Sequence, residues 1–137
     1  QIADPAGWGV AIGGMIDVAN APYGTARGAA ARSPYLIAGK SGTAQVFSVA
    51  SNERVRKANE LAERLRDHAL FVAFAPADAP MPKIVVAVIV ENAPGGGSAF
   101  AAPIARKLLD AYLLTPEELA AQEAKRQPAP VATTRGD

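Results

Sequence analysis

Cysteine is absent from the 137 residues, histidine occurs once, at His68, and aromatics make up only 6% of the chain. A chain without cysteine has no thiol nucleophile and no disulfide framework, and with a single histidine it has no Cys/His zinc cluster. No metal and no cofactor is therefore expected. A dominant charge is missing too: the formal net charge is +1, and Lys and Arg nowhere alternate with aromatics. That removes the electrostatic footprint of a nucleic-acid binder, so no nucleic-acid partner is expected. No apolar run approaches the roughly 20 residues of a membrane span. The first residues likewise lack a basic segment followed by an apolar leader core, so any anchor is expected outside this sequence. What is present is an apolar half of the composition, enough for one modest domain with a core and too short for two.

Hydrophobic periodicity orders the chain. Trp8, Ile12, Met15, Ile16 and Ala19 recur at helical spacing and predict a helix with Trp8 and Met15 in the core. Pro22 and Gly24 end it in a turn. Tyr35 to Phe47 reads as one strand with glycine near its centre. From Asn52 to His68, Val55, Ala58, Leu61, Ala62 and Leu65 form the stripe of a charged amphipathic helix, with Glu60 and Arg64 spaced as a favourable surface pair. Leu70–Phe74 and Ile84–Val90 are β-favouring runs joined through Pro76 to Pro82. The second is apolar on both faces. It is expected either as an inner strand covered on each side, or in a sheet with helices on one face and further protein on the other.

After a glycine-rich turn, Phe100 to Leu114 predicts a helix with Ile104, Leu108, Ala111, and Tyr112 on one side and Tyr112 in the core. Thr115-Pro116-Glu117-Glu118 starts another, with Thr as N-cap, Pro at the first helical position and acids in the first turn. Three regions result: 1–114, a short helix over 115–127, and a tail over 128–137 with too little apolar surface to order. The fold class is α/β, an antiparallel sheet flanked by helices.

The densest chemical signal is Lys40-Ser41-Gly42-Thr43-Ala44-Gln45, along the first strand. Two hydroxyls suit a carboxylate, Lys40 supplies positive charge, and Gly42 lets a ligand backbone lie close. Lys-Thr-Gly is a signature of penicillin-binding proteins and class A β-lactamases, and here Ser41 replaces the threonine. Taken in order, the helix ending near Asn20, Gly24-Thr25-Ala26, the Lys40–Gln45 strand, Asp67-His68, the Phe71–Pro76 strand, Val88-Ile89-Val90-Glu91-Asn92, the glycine turn and a closing helix resemble the C-terminal part of penicillin-binding protein transpeptidase domains. The similarity runs over about residues 7–114 and is greatest to the class B, rod-elongation type.

The resemblance implies the C-terminal portion of a penicillin-binding/β-lactamase-like transpeptidase fold. It also implies an enzyme at the periplasmic face of the inner membrane that cross-links peptidoglycan stem peptides and is acylated by β-lactam antibiotics. A membrane glycosyltransferase of the elongation complex is the implied partner. By family position, Lys40 and Thr43 would be catalytic, Lys40 in the proton-transfer network and the Thr43 backbone N–H as an oxyanion donor. Ser41, Gly42, Thr43, Ala44 and Gln45 would line the substrate, with Ser41 and Thr43 on its carboxylate.

The nucleophile is not in this sequence. Serines 33, 41, 48, 51 and 98 are followed three residues on by Leu36, Ala44, Ser51, Arg54 and Ala101, so no Ser-x-x-Lys box exists, and no Ser-x-Asn box occurs either. The expected partner is an N-terminal part of the same protein carrying Ser-x-x-Lys, and this chain alone is expected to be inactive. A non-catalytic peptide- or partner-binding domain of the same fold and a β-lactamase-like hydrolase are the alternatives. Gly39-Lys40-Ser41 is a poor phosphate loop, because Pro34 stands where its first glycine belongs and a β-favouring run follows. Gly95-Gly96-Gly97-Ser98 fails as a dinucleotide fingerprint because Phe100 occupies the third small position. It reads as a turn bordering the site, without chemistry of its own. His68 is expected to play a structural part at a helix end.

Overall fold

The structure is a computed structural model and describes residues 5–46 and 66–126. The expected charged helix, with its Glu60 and Arg64, and the expected tail lie outside the described residues, apart from the helix's last three positions. Helix α1 (Pro5–Asn20) is followed by a single-turn helix α2 (Arg27–Ala30) and strand β1 (Ala38–Ala44). Strands β2 (His68–Ala75) and β3 (Ile84–Val90) come next, then helices α3 (Gly97–Leu113) and α4 (Pro116–Arg126). The strands form an antiparallel sheet in the order β1-β2-β3. The expected mixed α/β class is the observed one.

Helix α1 ends where the sequence stops supporting it. Gly24 folds back onto the last turn so closely that a Cβ there would sit 2.5 Å from the Val18 carbonyl oxygen, which only glycine permits. Asn20 then ties the helix to the sheet, its Nδ2 donating at 2.7 Å both to Ile16 O and to Ile37 O, just before β1.

One face of the sheet is covered. On β2, Ala69, Phe71, Ala73 and Ala75 are buried, and on β3 Val86 and Val88, against Ala101, Ala102, Ala105 and Leu109 of α3. The small side chains let α3 lie close to the sheet, closest at Gly97, where a Cβ would come 2.8 Å from Gly42 O and nearer still to Leu70 O. The turn leading to α3 is fixed from below: His68 Nδ1 accepts from the Asn92 N–H at 3.0 Å, and Asp67 O accepts from the Ala93 N–H at 2.9 Å. His68 therefore begins a strand and braces a turn. The expected helix end is not there, because strand pairing with Ala44 claims the residue.

Of the two expectations for β3, the inner strand covered on each side is overturned: among the described residues β3 is an edge strand with α3 on one face, and Val85 and Ile89 are 70% and 64% exposed on the other. Two core placements are corrected. Tyr112 is 64% exposed, together with Phe100, Ile104 and Leu108, because the close helix–sheet contact admits alanines and turns the larger stripe outward. Trp8 is 50% exposed; α1 packs chiefly on β1 and α2, leaving its start uncovered, while Met15 is half-buried.

A polar cluster crosses the core behind β1. Arg106 and Asp110 of α3, both buried, pair at 2.8 Å, and the Tyr35 hydroxyl donates to the same Asp110 oxygen at 2.5 Å. Arg106 Nη1 reaches Ala29 O and Ala31 O at 3.3 Å, and its guanidinium lies 5.6 Å from the Tyr35 ring centroid. Burial, and then the bond to Asp110, push the Tyr35 phenol well above its ordinary range. Charged partners make such bonds stronger than neutral ones. The cluster fastens the segment entering β1 onto α3.

Candidate functional site

All of Lys40 to Ala44 lies on β1, with Gln45 just past its end. The register sets their faces. Ser41 and Thr43 pair with Phe71 and Ala69 and so share the α3 side of the sheet, whereas Lys40, Gly42 and Ala44 pair with Val72, Leu70 and His68 and take the other side. The structure thus brings the two hydroxyls together and sets Lys40 apart on the strand. The lysine bends back along the strand, and its exposed Nζ donates to Ser41 O at 2.6 Å. Thr43 and Gln45 are exposed, Ser41, Gly42 and Ala44 half-buried.

β1 pairs with β2 on one side, and among the described residues no strand pairs with it on the other. A free edge of this kind offers backbone N–H and C=O groups to an extended peptide. The two glycines of the motif then separate in meaning. Gly39 is buried against β2, and a Cβ there would fall 2.6 Å from the Phe71 ring, so packing alone demands glycine. At Gly42 a Cβ would meet only Leu70 Cβ at 3.4 Å, an ordinary contact. No packing requirement explains Gly42.

The glycine turn borders this edge, as expected, and the structure adds which residue it meets. The N-cap of α3, Gly96, stands next to Thr43: a Cβ on Gly96 would lie 3.9 Å from Thr43 Oγ1. The triple glycine between strand and helix was the available signal, and only the close approach of Gly97 to β1 and β2 gives it meaning. The small alanine-lined cavity bounded by Ala19, Ala26, Ala102 and Arg106 belongs to the core and touches none of residues 40–45. Among the described residues no group of three or more His, Asp or Glu could hold a metal, and no helix is long and apolar enough to cross a membrane.

With this geometry in place, the chain can be set beside known proteins. The family model described as the penicillin binding protein transpeptidase domain matches residues 8–110. The peptidoglycan D,D-transpeptidase MrdA of Haemophilus influenzae is 56% identical over 108 residues, which cover 79% of this chain and 16% of that protein. Among solved structures, Pseudomonas aeruginosa PBP2 in complex with WCK 5153 is similar at a TM-score of 0.66 and 46% identity, covering 85% of this chain and 22% of the other. Helicobacter pylori PBP2, in its complex with MreC, gives a TM-score of 0.51 at 28% identity, covering 73% of this chain and 16% of that one. The chain spans about a sixth of the length of the curated relative it matches.

Proposed function

The chain belongs to the penicillin-binding protein transpeptidase family, and from that premise we propose that it supplies the substrate-binding edge of a PBP2-type peptidoglycan D,D-transpeptidase. The enzyme cross-links stem peptides at the periplasmic face of the inner membrane and is acylated by β-lactams. One observation carries this reading. Ser41 and Thr43 present two hydroxyls on the same face of a free strand edge, around a glycine that packing does not require.

The roles follow from chemistry. A stem peptide lying along β1 pairs with its backbone, and its carboxylate, or that of a β-lactam, takes the Ser41 and Thr43 hydroxyls. Gly42 leaves room for the ligand main chain, and Ala44 and Gln45 continue the edge. A serine in the rest of the protein attacks the carbonyl. Its proton passes to a neighbouring base and on to the departing amine, leaving an acyl ester that a second stem peptide's amine resolves. The oxyanion formed on the way is held by backbone N–H groups, one of them from Thr43. Lys40 adds positive charge beside the proton-transfer groups. The nucleophile and the Ser-x-Asn box are supplied by the part of the protein outside this chain. A membrane glycosyltransferase is the proposed partner; the Helicobacter pylori relative was solved with MreC, which makes that class of protein a second partner to test.

The test uses the full-length protein that carries this segment, with β-lactam adducts read by denaturing mass spectrometry. Lys40→Ala is expected to abolish acylation while leaving thermal unfolding in place, because Lys40 is exposed. Thr43→Val keeps the backbone N–H and loses one hydrogen bond to a charged group, an expected loss of about 10- to 100-fold in acylation efficiency. A full-rate adduct on Lys40→Ala would sink the reading.

A further inference from the structure

We propose that Gly96 is a position that controls access to the β1 edge, kept free of a hydrogen-bonding side chain so that the Thr43 hydroxyl stays open to the ligand's carboxylate; the inference rests on the transpeptidase reading above and deepens it. Three observations combine. First, the backbone does not require glycine: Gly96 has φ −75° and ψ 172°, an extended conformation any residue adopts. Second, packing does not require it either, since a Cβ there would meet nothing within 4 Å except Thr43 Oγ1 at 3.9 Å. Third, Gly96 is the N-cap of a 17-residue helix and makes no side-chain cap, although Ser, Asp or Asn at an N-cap satisfies a first-turn N–H.

Local stability therefore favours a short polar side chain at 96, and outside the helix's own first turn the group within its reach is the Thr43 hydroxyl. No hydrogen bond occupies the Thr43 hydroxyl among the described residues. A serine hydroxyl reaches one bond further than the Cβ, which closes the 3.9 Å gap to the 2.5–3.0 Å range of an O–H···O bond. It would bind Thr43 in place of the ligand carboxylate. Gly97 keeps this geometry fixed, because its backbone contact with Gly42 O and Leu70 O holds the helix start against the strand pair.

The test is a double-mutant cycle in the full-length protein, with benzylpenicillin as the probe and the second-order acylation constant as the readout. Gly96→Ser is expected to lower that constant by about 3- to 10-fold, the worth of one hydrogen bond, without lowering the unfolding temperature. Gly96→Ala, which adds bulk in ordinary contact and no hydroxyl, is expected to stay within about 2-fold. In a Thr43→Val background the effect of Gly96→Ser is expected to vanish, which a structural lesion at the helix start would not do. The proposal is overturned if Gly96→Ser acylates like the parent while Thr43→Val is impaired, if Gly96→Ala loses as much as Gly96→Ser, or if the loss persists in the Thr43→Val background. Should Thr43→Val itself acylate normally, the carboxylate reading fails first and takes this inference with it.

Discussion

Removing the Asp110 carboxylate is the sharpest probe of how β1 is held. Asp110 is buried and carries both the Arg106 guanidinium at 2.8 Å and the Tyr35 hydroxyl. In Asp110→Ala the guanidinium stays where it is, 3% exposed, with only two 3.3 Å bonds to Ala29 O and Ala31 O. Its Nη2 is already buried without a partner among the described residues. Breaking a buried pair from one side costs about 3–5 kcal/mol, because the remaining charge is left uncompensated. The temperature shift per kcal/mol shrinks with size, from roughly 2–4 °C at about 150–250 residues, so the unfolding temperature of the larger protein should fall by several degrees. The measurement is thermal unfolding of the full-length protein, followed by β-lactam acylation on the fraction that remains folded. Acylation should fall too, since the pair anchors Tyr35 and the chain entering β1.

A second variant separates charge from packing. Replacing both partners, Arg106→Met with Asp110→Leu, removes the stranded charge, and such replacements are often neutral or stabilising. The double variant should therefore recover most of the lost stability, even though Tyr35 loses its acceptor, because Tyr35 is only half-buried. If Asp110→Ala unfolds within about 1 kcal/mol of the parent, less than breaking any buried pair costs, the cluster is not a buried pair in the assembled protein and the reasoning fails.

Other outcomes follow from the same contacts. Gly97→Ala would bring a Cβ against Leu70 O and 2.8 Å from Gly42 O, so α3 or β1 must shift. Overpacking of this kind costs about 1–3 kcal/mol, and acylation and stability should drop together, in contrast to Gly96→Ser; unchanged stability would refute the contact. Because the Tyr35 phenol is raised above its ordinary value near 10, the fold keeps the proton that the unfolded chain loses. Its contribution is fully present below pH 10 and fades as pH climbs through the raised value. Titrated unfolding above pH 10 should therefore show a fall in stability that Tyr35→Phe lacks. Val85→Asp, on the uncovered sheet face, should cost the full-length protein several kcal/mol if the rest of the protein covers that face. A change under about 0.5 kcal/mol would mean the face meets water in the assembled protein.

Much of the fold was legible because its signals are local. β3 has the bounds its β-branched run predicts, and α4 starts at Pro116 with Thr115 Oγ1 accepting from the Glu118 N–H while Glu118 Oε2 accepts from the Thr115 N–H. The facing of α3 was not legible. Two stripes run along it at intervals of four, Ala101-Ala105-Leu109 and Phe100-Ile104-Leu108-Tyr112. Hydropathy favours the second, and the narrow gap to the sheet selects the first. The same limit hid the Arg106–Asp110 pair, which reads as a surface i,i+4 pair until Tyr35 and the carbonyls of Ala29 and Ala31 close around it. The strand motif was legible as chemistry, but its glycines were not. Whether a glycine serves packing, as Gly39 does under Phe71, or leaves room, as Gly42 does, depends on cross-strand neighbours 30 residues away that no local pattern reveals.

The expectation that β3 is covered on both faces and the finding that one face is open are two halves of a single point. A strand reading Ile-Val-Val-Ala-Val-Ile-Val is written for burial on each side, yet only the Ile84, Val86, Val88 and Val90 face packs into the core under α3. Val72, Val85 and Ile89 form an apolar surface opposite it, on the face from which Lys40 departs. Contiguous apolar surface of this kind marks a contact region. The hydroxyls, by contrast, lie on the α3 side, where Gly96 and Gly97 form their wall. Among the described residues the sheet is therefore covered by α3 on its hydroxyl side and uncovered on its lysine side, at Val72, Val85 and Ile89. Under the proposed transpeptidase reading, protein outside this chain covers that face, which is what Val85→Asp tests.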